Sequence, residues 1–173
     1  VAGIYAKGSF LDFDPSVTLK SDLPAEIVDE FTAVVDTIVG EHKLEPHTRN
    51  SETRTLSPGR HRNALSRALE AIGVSHSPKN RADFALPDYL NEVSPALRKE
   101  FVEVYILLRG SHYPDSQKMD IRAERTQDHL QDLADLFEDV TGVTPTVREN
   151  GIYLPIPLVE QLDLKIDFRS RLE

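Results

Sequence analysis

Cysteine and tryptophan are absent from this chain, and methionine occurs once. Without thiols there is no disulfide and no thiolate metal centre, which excludes a zinc ribbon, an iron–sulfur site and a disulfide-stapled secreted scaffold. The same absence suits a cytoplasmic protein. No apolar run approaches the roughly 18 to 20 residues that a membrane-spanning helix needs, and no cleavable signal is visible, so a soluble chain with no membrane partner is expected. The histidines His42, His47, His61, His76, His112 and His129 form no pair at ligand spacing on a helix, so a structural zinc site is not expected either. Aromatic residues are sparse at 7 %, yet the hydrophobic share of 39 % over 173 residues is enough for one sizeable domain or two small fused halves. The first residue is Val, and the opening residues read as the last turn of a helix, as in a fragment of a longer chain.

Positive charge is also in short supply, with 20 Lys and Arg against 29 Asp and Glu and a net charge of −9. Taken whole, an acidic balance opposes a nucleic-acid partner, because phosphate neutralisation supplies most of that affinity. Its distribution points the other way. The segments 22–41 and 126–142 hold 6 and 5 acids with no Lys or Arg, so the remainder of the chain is net +2. Within that remainder, Arg49, Arg54, Arg60, Arg62 and Arg67 face only Glu52 between Thr48 and Arg67. One reading makes the acidic stretches solvated helix faces and the Arg-rich stretch an ordinary hairpin; the other makes them opposite faces of a polyanion-binding protein.

What is present in strength is a repeat. Lys7-Gly8-Ser9 and Arg109-Gly110-Ser111 lie 102 residues apart, and at that offset Val17 falls on Met119, Leu19 on Ile121, Phe31 on Leu133, Val35 on Phe137 and Gly40 on Gly142. Periodicity gives each copy the same elements. In the first, Ser16–Lys20 alternates like a half-buried strand, and a helix opens near Ser21 or Asp22 with Pro24 in its first turn. Its apolar stripe is Ile27, Val28, Phe31, Val34, Val35 and Ile38, and it ends at Gly40. A hairpin over 42–48 and 53–57 precedes a helix over Asn63–Ile72 with Ala64, Leu65, Ala68, Leu69 and Ile72 inward. In the second copy, Ser94-Pro95 caps a helix whose stripe is Leu97, Phe101, Val104, Tyr105 and Leu108 and which runs into Arg109-Gly110. Lys118–Arg125 alternates as a strand with Met119, Ile121 and Ala123 inward, and Thr126–Gly142 is the matching helix. Asn150-Gly151 then turns a hairpin between 144–148 and 152–156. The expected fold is α+β, two αββαββα halves, with residues 1–74 as first repeat, 75–93 as a Pro-rich connector anchored by Asp83-Phe84-Ala85-Leu86-Pro87, and 94–173 as second repeat.

The two helices ending in Gly-Ser, Gly3-Ile4-Tyr5-Ala6-Lys7-Gly8-Ser9-Phe10 and Phe101-Val102-Glu103-Val104-Tyr105-Ile106-Leu107-Leu108-Arg109-Gly110-Ser111, together with the connector from Ile72-Gly73-Val74 through Ser77-Pro78-Lys79 to Pro87, resemble the LAGLIDADG (dodecapeptide-type) family of homing endonucleases, some of which are embedded in inteins. The resemblance spans nearly the whole chain and rests on the order of elements more than on motif identity. It implies two motif helices packed together on a pseudo-twofold axis and two four-stranded antiparallel sheets forming a saddle on the major groove of DNA. A single chain then suffices for a two-half site. Gly3 and Ala6 suit close helix packing; Val104, Tyr105, Leu107 and Leu108 are bulkier than the pattern.

Family members carry an acidic residue immediately before each glycine, where the carboxylates hold the divalent metals that activate water. Lys7 and Arg109 stand there in this chain. Neither ligates Mg²⁺, and an arginine is no base at neutral pH. The resemblance therefore implies a degenerate member without catalytic or metal-binding residues and without a cofactor. Such a protein would bind double-stranded DNA through Lys7, Arg109, Arg49, Arg54, Arg60, Arg62, Lys118, Arg122, Arg125 and Arg148, with Asp120 and Glu124 diluting the basic strand face. The alternatives are an active, Mg-dependent homing endonuclease using displaced carboxylates at Asp12, Asp14 and Asp115, or an inert endonuclease domain of a larger intein-containing protein. RNA stays open as the nucleic acid.

Overall fold

The computed structural model describes residues 1–10, 15–20, 23, 25–39, 45–50, 53–57, 64–76, 84–113, 118–122 and 125–164. The chain divides into two compact units, Gly3–Pro78 and Lys79–Glu173. Both units run through helix, two strands, helix, two strands, helix. In the first these are α1 (Ala2–Lys7), β1 (Gly8–Ser9), β2 (Ser16–Lys20), α2 (Ala25–Val39), β3 (Glu45–Asn50), β4 (Thr53–Ser57) and α3 (Ala64–Ala71). In the second they are α4 (Pro95–Arg109), β5 (Gly110–Tyr113), β6 (Lys118–Arg122), α5 (Gln127–Thr141), β7 (Thr146–Arg148), β8 (Gly151–Leu154) and α6 (Ile156–Glu160), preceded by a short 3₁₀ turn at Asp88–Asn91. The protein is thus α+β, with one antiparallel four-stranded sheet per unit, ordered β1-β2-β4-β3 and β5-β6-β8-β7.

In the first unit α1 is buried at Ala2, Ile4, Tyr5 and Ala6. The backbone N–H of Ser75 donates to the Tyr5 hydroxyl at 3.3 Å, and the Phe10 ring lies 5.6 Å from that of His76, so the segment after α3 is tied back to α1. Gly8 ends α1 with its N–H bonded to the Ile4 carbonyl, then passes directly into β1 opposite Val17. A Cβ at Gly8 would stand 2.0 Å from the Ser16 carbonyl oxygen, so only glycine lets the helix end run this close to β2. Gly110 repeats the arrangement, its N–H bonded to the Ile106 carbonyl. A Cβ there would lie 2.7 Å from that carbonyl oxygen and 3.1 Å from the Met119 sulfur.

The second unit carries the fuller core. The inward rows of its sheet, Met119 and Ile121 with Leu154 and Ile152 across the ladder, are buried, as are Leu130, Leu133, Ala134 and Phe137 of α5 and Leu158 of α6. Tyr105 stacks with Phe101 at 6.2 Å and meets Phe137 edge-on at 6.1 Å between ring centroids. Thr126 caps α5 by accepting from the His129 N–H, and Gly142 closes it in the left-handed conformation at φ 71°.

Several expectations need correction. The stripe of α2 is only partly inward: Ile27 is buried, but Val34 is 59 % and Ile38 42 % exposed. On α3 the buried residues are Ser66 and Leu69, while Ala64, Ala68 and Ile72 are exposed, so the inward face is rotated from the one the apolar residues mark. Leu97 of α4 is exposed, and burial extends instead to Val102, Ile106 and Leu107. β6 is described over Lys118–Arg122, where Arg122 pairs with Gly151, the first residue of β8. The β7–β8 turn is Glu149-Asn150, one residue earlier than expected, with Arg148 and Gly151 as its closing pair. Gly151 takes φ 156°, and a Cβ there would meet the Ile121 carbonyl oxygen at 2.1 Å. Ile156 is helical, not strand. Pro155 caps α6 and Pro157 sits in its first turn, where a missing N–H costs nothing. Gly40, Pro24, Asn63 and Ala123 lie outside the described residues.

Candidate functional site

The two motif glycines put a cation at the last helical position of each unit, Lys7 on α1 and Arg109 on α4, both partly exposed. A cation there faces the negative end of the helix dipole and stabilises the helix modestly whatever else it does. An Asp or Glu in the same place would be opposed by that field.

Around Arg109 the second unit builds a denser arrangement. Tyr105 lies one turn earlier on the same face of α4, fully buried, and the Arg109 and Arg125 guanidinium groups both bear on its hydroxyl. Burial pushes the Tyr105 hydroxyl above its ordinary pKa, and the two arginines pull it part of the way back, so it stays protonated at neutral pH. Arg125, three residues beyond the end of β6 in sequence, holds its guanidinium carbon 5.6 Å from the centre of the Phe84 ring. The other side of Phe84 is engaged as well, its centroid 5.1 Å from that of buried His129. The connector's apolar anchor, Phe84, thereby positions Arg125. Tyr105 was legible only as a core residue; the signal for more was its four-residue spacing from Arg109.

The outward row of the second sheet is polar. Register sets Asp120 opposite Ser111 on one side and Tyr153 on the other, with Thr146 beyond Tyr153 and Arg122 and Arg148 flanking Gly151. Arg122 and Arg148 are exposed, and the Arg148 guanidinium carbon stands 5.1 Å from the centre of the Tyr153 ring. This held orientation is a cation–π contact at the edge of the sheet. Lys118 pairs with Tyr113 at the far end of the β5–β6 ladder. Asp120 remains the acid in this row.

The first sheet is arranged differently. Arg54 pairs with Leu19, whose side chain is buried, and so belongs to the register row that Ile152 occupies opposite Ile121 in the second unit. Thr18 pairs with Thr55, and Lys20 with Thr53. Arg49 falls at the irregularity between Thr48 and Asn50 in β3. Arg60, Arg62, Asp12, Asp14, Asp115 and Glu124 lie outside the described residues. Among the described residues no three His, Cys, Asp or Glu side chains gather as a metal would require, and no helix is long and apolar enough to cross a membrane.

Chemically, these positions offer cations, hydroxyls and two cation–aromatic pairs, Arg125 with Phe84 and Arg148 with Tyr153. That is an inventory for holding an anion. No protein-family model matches the chain, and no curated protein matches its sequence.

Proposed function

We propose that the two units are the halves of a degenerate LAGLIDADG-type saddle that binds duplex DNA and does not cut it. The observation that carries this reading is the chemistry of the two helix ends. Each unit brings a helix into Gly-Ser and a four-stranded antiparallel sheet, and at the position where the family holds a metal with a carboxylate this chain has Lys7 or Arg109. Ammonium and guanidinium groups repel a divalent cation and attract a phosphate; guanidinium adds paired hydrogen bonds to phosphate oxygens. The outward row of the second sheet, with Arg122, Arg148 and Tyr153, supports the same partner, since basic groups beside an aromatic ring suit a sugar-phosphate track.

The test is incubation of the full chain with a labelled duplex and, separately, with supercoiled plasmid in Mg²⁺ or Mn²⁺. Retarded duplex with unbroken plasmid is the expected result. Nicked plasmid would replace this reading with an active nuclease, and preference for a structured RNA over duplex DNA would change the partner.

A further inference from the structure

The repeat lets α2 be compared with its own counterpart α5, and from Val28 onward α2 is the shallower of the two. Leu130, Leu133, Ala134 and Phe137 are buried, whereas Val28, Phe31, Thr32 and Val35, which fall on them at the offset of 102 residues, are only partly so. Leu136 and Val140 are partly buried, and their counterparts Val34 and Ile38 are exposed. Side chains at these last positions are apolar in both copies, so the difference lies in what covers them. In the second unit the cover is the first half of α4. Arg98 pairs with Asp139, Phe101 and Val102 are buried, and Phe101 stacks on Tyr105, which meets Phe137 edge-on. Helix α4 spans Pro95–Arg109, but α1 spans Ala2–Lys7 and holds only the counterparts of residues 104–109. It comes against the Phe31 ring at Gly3 and leaves Val34 and Ile38 open.

We propose that the C-terminal half of α2 is a docking face for an amphipathic helix of a partner polypeptide, with the chemistry of residues 95–102. The second unit supplies the template: two helical turns with a large apolar side chain in the place of Phe101 and a cation in the place of Arg98. Charge selects the same class. Helix α2 carries Glu26, Asp29, Glu30 and Asp36 and neither Lys nor Arg, so it attracts a helix bearing cations and repels one bearing carboxylates. The driving force is removal from water of Val34, Ile38 and the open parts of Phe31 and Val35, as when an amphipathic helix lays its apolar face on another protein. This docking face does not rest on the function proposed above.

Titration of the full chain with a synthetic peptide of residues 94–109 tests the face, by calorimetry and by backbone amide shifts. One peptide per chain is expected, with shifts centred on residues 31–38. A peptide carrying Phe101→Ala should bind at least about tenfold more weakly, as loss of one large buried apolar side chain does. The same loss is expected for a chain with Val34→Glu together with Ile38→Glu. Both positions are exposed, so the fold is retained, and the added acids would tighten a merely electrostatic attraction to the cationic peptide. Absence of binding, binding that the paired substitution leaves unchanged, or shifts confined to α5 would overturn the proposal. Sedimentation of the chain alone covers the remaining occupant. Self-association that Val34→Glu with Ile38→Glu abolishes would make the face a contact between two copies and overturn the helical partner.

Discussion

Single residues decide whether a helix end can run straight into a strand. At Gly8 the obstacle to any side chain is the Ser16 backbone, which cannot swing aside, whereas at Gly110 one of the two obstacles is the flexible Met119 side chain. Gly8→Ala should therefore destabilise the first unit by about 2 kcal/mol or more, and Gly110→Ala by less, as read from urea midpoints. Tyr5 gives a pH signature. Its hydroxyl is pushed up to about 12, chiefly by burial, with the Ser75 N–H acting in the opposite direction. The unfolded chain releases that proton near pH 10 and the folded chain near pH 12, so the contribution is whole below pH 10 and lost as pH climbs toward 12. Tyr105 adds in the same sense. Tyr5→Phe should flatten the fall in thermal midpoint between pH 10 and 12; an unchanged slope would count against burial as the cause. The glycines were visible in the sequence because the repeat marks them. Tyr105 was not, because a tyrosine in an apolar helix stripe reads as core until the loop carrying Arg125 is placed beside it.

At the scale of elements, α2 and α5 occupy the same place in the two copies but are buried differently. Phe137 of α5 is fully enclosed, whereas Val34 of α2 is 59 % exposed. Phe137→Ala should cost about 3 to 5 kcal/mol, while Val34→Ser should stay within about 0.5 kcal/mol, both measurable by chemical denaturation. Removing the cap at Thr126, whose hydroxyl accepts from the His129 N–H at 3.3 Å, should cost about 1 kcal/mol in Thr126→Ala. The helices, the strand β6 and the β7–β8 hairpin were legible from period and punctuation: strict alternation at Met119 and Ile121, Gly142 after the last apolar turn, Asn150-Gly151 between strands. The face that each helix buries was less so. An apolar residue such as Val34, Ile72 or Leu97 marks a face only if another element arrives to cover it, and that depends on tertiary placement. Arg54 shows the converse. Strand alternation alone leaves two faces open, and the pairing with Leu19 is what sets its row.

For the whole molecule, charge is the property that bears on function. Segments 22–41 and 126–142 carry −11 against a net charge of −9, and among the described residues of the second unit Arg109 ends α4 while Arg122 and Arg148 flank Gly151 on the sheet. A polyanion held this way should bind in a strongly salt-dependent manner despite the acidic total. Fold class was readable from sequence because the 102-residue repeat doubles every signal. The helix-end cations Lys7 and Arg109 were readable because each precedes a repeated Gly-Ser. The most direct measurement is the slope of log affinity for a duplex against log salt concentration, for the native chain and for the Lys7→Gln, Arg109→Gln pair. The account predicts a steep negative slope that becomes shallower by about 1.8 in the double variant, corresponding to two lost phosphate contacts. A duplex affinity that does not respond to salt, or a slope that the double substitution leaves unchanged, would contradict it.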